Sequence, residues 1–210
     1  MLLKERFREF MPVVLDLETG GVNPIRNAIL QIAVVLLDWQ SDRLVPSESY
    51  SWEVTPFEGS LISETSIQMN HIDPNDESRN SQNEDECLRD CNRIIRKRLR
   101  AEECKRALLV GHNAHFDRSF YRCAMYRNKI KRDPFHLFTV LDTASLSALV
   151  YGHTVLSIAC ERAGIEYDID LAHSAPYDAK VTAELFCMMV NEFPYEPTWP
   201  LESNFELNSS

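Results

Sequence analysis

Runs of apolar residues, separated by polar turns, divide most of the chain into short segments. Five runs carry the β-branched and aromatic residues typical of strands: Phe10–Leu17, Ile29–Trp39, Tyr50–Val54, Ala107–Gly111 and Phe138–Leu141. Gly20, Gly21, Asn23 and Pro24 mark a turn after the first run. The first three runs follow one another without an intervening helical pattern, so we predict that they form an antiparallel meander.

Apolar residues at helical spacing predict the remaining elements, and in the second predicted helix they alternate with arginines. The predicted helices are Ser63–Asn70, Glu84–Arg100, Phe116–Tyr126, Ala144–Val150, Val155–Ala163 and Ala175–Phe193. Three strands followed by alternating helices and strands predict an α/β fold. We expect a mixed five-stranded sheet, with three antiparallel and two parallel strands, flanked by helices. One domain is expected over residues 1–193, followed by an irregular tail over 194–210.

Composition narrows the class of protein. Apolar residues make up 44% and charged residues 26% of the 210 residues, which is ordinary for a globular protein and excludes a disordered chain. The longest unbroken apolar run, Ile32–Leu37, is far too short to cross a bilayer. The charged N-terminus predicts no export signal and a cytoplasmic location. Six cysteines without a CxxC pair are expected to be reduced thiols, mostly in the core.

Charge is unevenly distributed along the chain. The net charge is −10, but the segment from Arg89 to Arg132 holds 14 basic and 4 acidic residues. The rest of the chain is strongly acidic. Such segregation can give an acidic protein a basic surface for phosphates. The alternative is a solvated helix face.

Three short motifs place acidic and histidine side chains next to predicted strand and helix ends. Asp16 and Glu18 end the first strand, where residues two apart point to one face. The sequence HNAHFD, ending at Asp117, follows the buried strand at 107–111 and opens a helix. The sequence HSAPYD, from His173 to Asp178, opens the last helix. Acids at the end of an apolar strand are costly unless a cation compensates them.

This ordered set resembles the DEDDh exonucleases, which are 3′→5′ enzymes with a ribonuclease H-like fold. The matching residues are Asp16, Glu18, Asp117 and Asp178, with His173 completing the motif. Further stretches resemble the ribonuclease T family, and the resemblance covers nearly the whole chain. These stretches are residues 71–76 (HIDPND), 131–136 (KRDPFH), 141–144 (LDTA) and 154–157 (TVLS).

The resemblance implies two-metal hydrolysis of phosphodiester bonds. Four carboxylates are the hard oxygen ligands that suit two Mg²⁺ ions per site, or Mn²⁺. In such a site Asp16 bridges both ions, Glu18 and Asp178 complete one position, and Asp117 supports the other. His173 takes the proton from the attacking water, a task that suits an imidazole. His112 is the competing candidate for the base, and Asp142 is interpreted as a helix N-cap.

The resemblance also implies contacts with a single-stranded 3′ end. Family members stack the last bases on aromatic side chains, and Phe116 and Phe138 match two such positions, although a core role for Phe116 is an equal alternative. Where the family has phenylalanines, this chain has Val22 and Met69, and Thr65 stands where an acid is expected. Family members are reluctant to remove terminal cytosines, and because of these three differences we do not predict that preference for this chain.

Family members are homodimers in which a basic patch on one subunit feeds RNA to the other subunit's site. The candidates for that patch are Arg6, Arg8, Arg96, Lys97, Arg100, Lys105, Arg106, Lys131 and Arg132. The resulting hypothesis is a Mg²⁺-dependent exoribonuclease that trims 3′ ends of tRNA and other stable RNAs, with single-stranded DNA as a further possible substrate. The alternatives are a DNA-directed exonuclease of proofreading or repair and a non-catalytic nucleic-acid-binding module.

Overall fold

The computed structural model describes residues 3–193, in which one sheet is flanked by helices. The strands are β1 (Phe10–Thr19), β2 (Ile29–Gln40), β3 (Arg43–Thr55), β4 (Gln82–Asn83), β5 (Arg106–Gly111) and β6 (Phe135–Asp142). The helices are α1 (Leu3–Arg6), α2 (Glu64–Asn70), α3 (Glu84–Ala101), α4 (Ala114–Arg127), α5 (Thr143–Val150), α6 (Leu156–Ala163) and α7 (Ala175–Glu192), with a 3₁₀ turn over Glu77–Arg79. The predicted tail over 194–210 lies outside the described residues, and the domain boundary at 193 stays a prediction.

The sheet has the order β4-β3-β2-β1-β5-β6. Strands β1, β2 and β3 form the predicted antiparallel meander, while β5 runs parallel to β1 and β6 runs parallel to β5. The predicted fold class is therefore confirmed. The sheet gains one strand, β4, whose two polar residues pair with the end of β3. So short and exposed a strand leaves no hydrophobic pattern in the sequence.

Strand β3 begins well before the predicted Tyr50, because a tight turn returns the chain directly from β2. Ser41 and Asp42 both have positive φ, 47° and 60°, and Gln40 pairs with Arg43 across the turn. Two left-handed residues are typical of a two-residue hairpin turn. Most of the added strand is exposed or half-buried, so it lacks the apolar alternation that would have predicted it.

Helices cover both faces of the sheet, and adjacent residues of β2 show the two sides. Gln31 bonds to the start of α7, while the next residue, Ile32, pairs with Trp52, whose indole N–H donates to Asp90 of α3. The central strands are apolar on both faces, as expected for a sheet covered twice. Helices α5 and α6 pack against α7.

Four of the six cysteines belong to this covered interior. Cys87 and Cys91 lie on α3, Cys160 on α6 and Cys187 on α7, all as buried free thiols. Burial raises the pKa of each of these thiols to about 12. They are core side chains, as the sequence predicted. Within residues 3–193, no helix is long and apolar enough to cross a membrane.

Candidate active site

Two acidic side chains leave the carboxyl end of β1 on one face of the sheet. Asp16 and Glu18 are half-buried, and they flank Leu17, which is buried on the opposite face. The chain then passes very close to the segment before α2. A Cβ at Gly20 would lie 2.9 Å from Ile62 Cγ1, so this approach requires a glycine. The turn fixes the end of the strand that carries both acids.

A third acid reaches the same place from α4. Asn113 adopts a left-handed φ of 66°, which turns the chain from β5 into the helix. Asp117, in the first turn, is buried. The backbone N–H of Leu17 donates to Asp117 Oδ1 at 3.1 Å. This bond places the Asp117 carboxyl beside the residue that separates Asp16 from Glu18.

The start of α7 supplies the fourth acid and the histidine. His173 precedes the helix with a left-handed φ of 61°, and its side chain is exposed. Its backbone N–H donates to Asp178 Oδ2 at 3.0 Å. Ser174 occupies the N-cap position of α7 without a side-chain capping bond, and Pro176 lies in the first turn. Ligand atoms of Glu18, His173 and Asp178 all lie within 4.8 Å of one another.

The gathered carboxyls disfavour one another's ionisation. Burial raises the pKa of Asp16 well above its usual value, and the charges of Asp117, Asp178 and Glu18 raise it further. Burial, followed by the charge of Asp178, raises the pKa of Glu18 to about 8. Burial also raises the pKa of Asp117 and of Asp178. Acids held together at such a cost are typical of a functional site.

The residues present fit a divalent metal. Asp178 Oδ1 is buried and has no hydrogen-bond partner in the described part of the chain, so one oxygen of this carboxyl is left unsatisfied. A hard cation would satisfy that oxygen and offset the repulsion, because clustered carboxylate oxygens are the ligands that Mg²⁺ and Mn²⁺ prefer. Glu18, His173 and Asp178 form a possible metal site.

His112, the competing candidate for the base, is engaged elsewhere. Its Nδ1 lies 3.0 Å from Thr143 Oγ1 and its Nε2 lies 2.7 Å from the Thr154 carbonyl oxygen. Both ring nitrogens are therefore used to join the start of α4 to the α5 region. Of the two histidines, only His173 is brought into the group of acids.

The predicted base-stacking residues all present exposed surface. Phe138 is 81% exposed, Met69 55% and Val22 84%. Phe116 is 36% exposed and also packs on Phe120, with ring centroids 4.9 Å apart. Phe116 is thus partly packed and partly exposed, and both roles that the sequence left open stay open. Thr65 is exposed on α2.

The basic candidates lie near the other end of the sheet. They occupy the second half of α3, the start of β5 and the segments before β1 and β6: Arg6, Arg8, Arg96, Lys97, Arg100, Lys105, Arg106, Lys131 and Arg132. Lys105 pairs with Glu9, and Arg106 donates to the Asp133 carbonyl at 2.7 Å. Arg96 is half-buried, and burial lowers its pKa, so it contributes less surface than its neighbours. The structure does not bring these residues to the chain's own acidic cluster.

Two polar contacts near the acids were not predicted from the sequence. Asn70, at the end of α2, is buried and donates to the Thr19 carbonyl at 3.2 Å. A hydrogen bond from Asn70 also opposes the rise in the pKa of Glu18. Asp142 caps α5 as predicted, accepting from the Ser145 N–H, but it also accepts from the first backbone N–H groups of α4. Neither contact belongs to a short motif, so the sequence offered no signal for them.

The sheet order and helix placement define a ribonuclease H-like fold, and solved exonucleases share it. This chain superposes on E. coli exonuclease I, in its zinc-bound complex with single-stranded DNA, with a TM-score of 0.70 and 18% identity. The superposition covers 88% of this chain and 41% of exonuclease I. The chain thus spans about two-fifths of that protein. A protein described as a full-length 3′-exonuclease superposes with a TM-score of 0.68 and 18% identity, over 87% of this chain and 83% of that one.

Sequence comparison is more specific. A family model described as an exonuclease matches residues 13–186. Ribonuclease T of Hahella chejuensis is 46% identical over 94% of this chain and 91% of its own length. Ribonuclease T of Escherichia coli K12 is 43% identical over 98% of this chain and 96% of its own length. The chain belongs to the ribonuclease T family of exonucleases.

Proposed function

We propose that this protein is a Mg²⁺-dependent 3′→5′ exoribonuclease that acts as a homodimer on short single-stranded 3′ ends of tRNA and other stable RNAs. The gathering of four acids and one histidine at the ends of β1, α4 and α7 carries the proposal. A binding module would gain nothing from clustered acids, because they repel the phosphates of a nucleic acid. The similarity to relatives named ribonuclease T supports RNA, and not DNA, as the main substrate of this protein.

In the proposed reaction, Asp16, Glu18, Asp117 and Asp178 would hold two divalent cations. Metal binding there would offset the charge of the scissile phosphate and lower the pKa of the attacking water. His173 accepts the proton of that water, which its exposed side chain next to Asp178 allows. The water oxygen bonds to phosphorus as the bond to the 3′ oxygen of the preceding nucleotide breaks. That oxygen takes up a proton, and a nucleoside 5′-monophosphate is released.

Phe116 and Phe138 are proposed to hold the terminal bases, because their exposed rings offer stacking surfaces. Met69 offers a flexible apolar contact instead of a ring. Val22 has no π face, so one stacking surface of the family is missing here. We expect the preference for the terminal base to differ accordingly.

The test uses a 5′-labelled RNA hairpin with a short 3′ overhang and a DNA hairpin of the same sequence. With Mg²⁺, the wild-type protein should produce a ladder that shortens from the 3′ end. EDTA or Asp16→Asn should abolish the ladder. Asp76→Asn, which changes an exposed acid in a loop, is the matched control and should cleave normally.

Two other outcomes decide between the alternatives. Faster cleavage of the DNA hairpin would favour a DNA-directed exonuclease. Retention of RNA without any cleavage, with tighter binding after metal removal, would favour a binding module.

A further inference from the structure

A continuous row of polar side chains crosses the sheet beside the acidic cluster. Arg79, from the 3₁₀ turn, donates through Nε and Nη2 to Glu53 Oε2 at 3.0 and 2.7 Å. Gln31 Nε2 donates to Glu53 Oε1 at 2.5 Å. Gln31 Oε1 in turn accepts from the backbone N–H of Ala175 at 2.8 Å. The row therefore runs from β3 through β2 to the first residue of α7.

The hydrogen bonds fix which way the Gln31 amide points. Both Glu53 oxygens act as acceptors, so the nitrogen of the amide must face Glu53 and its oxygen must face Ala175. Glu53 is itself held by Arg79, whose side chain is only 9% exposed and whose Nη2 also donates to the Leu30 carbonyl at 2.7 Å. The oxygen of Gln31 is thus an acceptor with a set direction.

The Gln31 oxygen accepts a hydrogen bond from an N–H group at the start of α7 that has no partner within the helix. The first N–H groups of a helix have no partner within the helix and are commonly satisfied by an N-cap side chain. Ser174 makes no side-chain capping bond, and Ala175 is fully buried. Gln31, 144 residues earlier in the chain, takes the place of the cap.

The same bond holds the segment that carries His173. A positive φ is uncommon for a residue other than glycine and persists only when the surroundings impose it. The backbone around His173 is tied by its own N–H to Asp178 Oδ2, by the Ser174 carbonyl, which accepts from the Asp178 N–H at 2.9 Å, and by the Ala175 N–H to Gln31. Without the bond to Gln31, the ties that remain at His173 and Ser174 both lead to Asp178.

We infer that Gln31 is a positioning residue for the general base, which it orients through the Ala175 N–H and the 173–175 turn. This inference rests on the proposed role of His173 in catalysis. Gln31 pairs with Glu18 on one side and Glu53 on the other, so a carboxylate at position 31 would stand between two acids. The neutral amide is the side chain that accepts from Ala175 without adding to that repulsion.

The test variant is Gln31→Leu, which keeps the approximate size of the side chain and removes both hydrogen bonds. The matched control is Asn191→Leu. Asn191 lies near the other end of α7 and exchanges two 2.8 Å bonds with the backbone of Leu44, so its loss also loosens α7 but far from His173. Both variants are made in the wild-type and in the His173→Ala background.

Two readouts are measured well below the unfolding temperatures. Amide hydrogen exchange of metal-free protein should accelerate over residues 172–177 in Gln31→Leu and remain at the wild-type rate there in Asn191→Leu. Single-turnover cleavage by Gln31→Leu should slow by about 10- to 100-fold, the scale of a displaced catalytic group, with little change in RNA affinity. In the His173→Ala background the same substitution should cause almost no further loss, because the two residues act in series.

Unchanged exchange over 172–177, or an equal loss of rate with and without His173, would overturn the inference. So would an equal effect of Asn191→Leu, since that would mean general loosening of α7. If the wild-type protein cleaves no RNA, the proposed function fails, and hydrogen exchange alone then decides whether Gln31 holds the turn.

Discussion

The carboxyl of Glu18 holds its proton to a higher pH than an ordinary glutamate. Burial, and then the charge of Asp178, raises its pKa to about 8, against about 4.3 in an unfolded chain. Between these two values the folded protein binds a proton that the unfolded chain has released. Stability of the metal-free protein must therefore fall as the pH rises through this interval. The usual direction for a carboxyl, whose pKa is lowered on folding, is the opposite.

Glu18→Gln should remove much of this pH dependence, because the amide mimics the protonated carboxyl. In EDTA, we expect the unfolding temperature of the variant to exceed that of the wild type at pH 8 by about 10 °C and to match it near pH 4, below the pKa of the unfolded chain. Thermal unfolding across this pH range measures the effect, with Glu58→Gln, at an exposed acid, as the control. A wild-type unfolding temperature that rises from pH 5 to pH 8 in EDTA would contradict the prediction.

Phe138 is 81% exposed on β6, so its ring is accessible for stacking on a base of the RNA. Phe138→Ala should raise KM for a short RNA by about 5- to 100-fold, since stacking contributes about 1–3 kcal/mol per base. The unfolding temperature should stay unchanged because the ring buries little surface. Leu137→Ala, at the preceding residue, which is 51% exposed, should leave KM as it is. Equal effects of the two substitutions would rule out a specific stacking role for Phe138.

At the scale of elements, one side chain sets the relation between two helices. Asp142 Oδ1 accepts from the N–H groups of Asn113 and Ala114 at 2.8 and 3.2 Å, and its Oδ2 accepts from Ser145 N at 3.1 Å. Burial opposes ionisation of Asp142, but these hydrogen bonds outweigh it and lower the pKa. The carboxylate thus caps α4, which carries Asp117, and α5 together.

Asp142→Ala should lower the free energy of unfolding by about 1–3 kcal/mol, the cost of one to two caps. It should also reduce kcat, because α4 positions Asp117. Asp73→Ala removes a similar side-chain to backbone bond from an exposed loop, where Asp73 accepts from Asn75 N at 2.9 Å. This control should leave kcat unchanged. Denaturant unfolding and steady-state cleavage measure the two effects, and an unaltered kcat in Asp142→Ala would show that α4 is held without this cap.

Elements that bury apolar side chains were predictable, and contacts between distant polar residues were not. The strand at Phe10–Leu17 and the helix after Ser174 follow from local periodicity, and the acids at 16, 18, 117 and 178 follow from motif order. Strand β4 buries no side chain, so periodicity cannot reveal it. Gln31 and Asn70 act on partners 144 and 51 residues away, and no local pattern encodes such a distance.

At the scale of the whole molecule, the basic residues and the acidic cluster lie toward opposite ends of the sheet. Phe10, at the start of β1, pairs with Arg106, whereas Asp16 lies six residues further along the same strand, about 20 Å away at about 3.3 Å per residue. An RNA whose 3′ end is bound in one site must extend across this distance to reach the same subunit's basic residues. The proposed homodimer resolves this separation if each basic patch serves the partner's site.

Mixed dimers test the arrangement. One parent carries Asp16→Asn and the other carries Lys97→Ala, Arg100→Ala, Lys131→Ala and Arg132→Ala, four exposed positions of the patch. The first parent alone should not cleave RNA, for lack of a site, and the second alone should cleave it slowly, for lack of a binding surface. After subunit exchange, activity should return, since each mixed dimer pairs one intact patch with one intact site on the other subunit. Activity that stays at the parental level in mixed dimers would place patch and site in the same subunit.

The buried thiols can be used as chemical probes of how often the folded protein opens. Cys91 lies on α3 and Cys187 on α7, helices that contact the sheet from opposite sides, and burial keeps both sulfurs protonated and unreactive. A thiol reagent can modify each sulfur only while its own layer is open. The two labelling rates therefore report how often the helices on each side of the sheet open. A cation bound at the start of α7 should slow the labelling of Cys187 more than the labelling of Cys91.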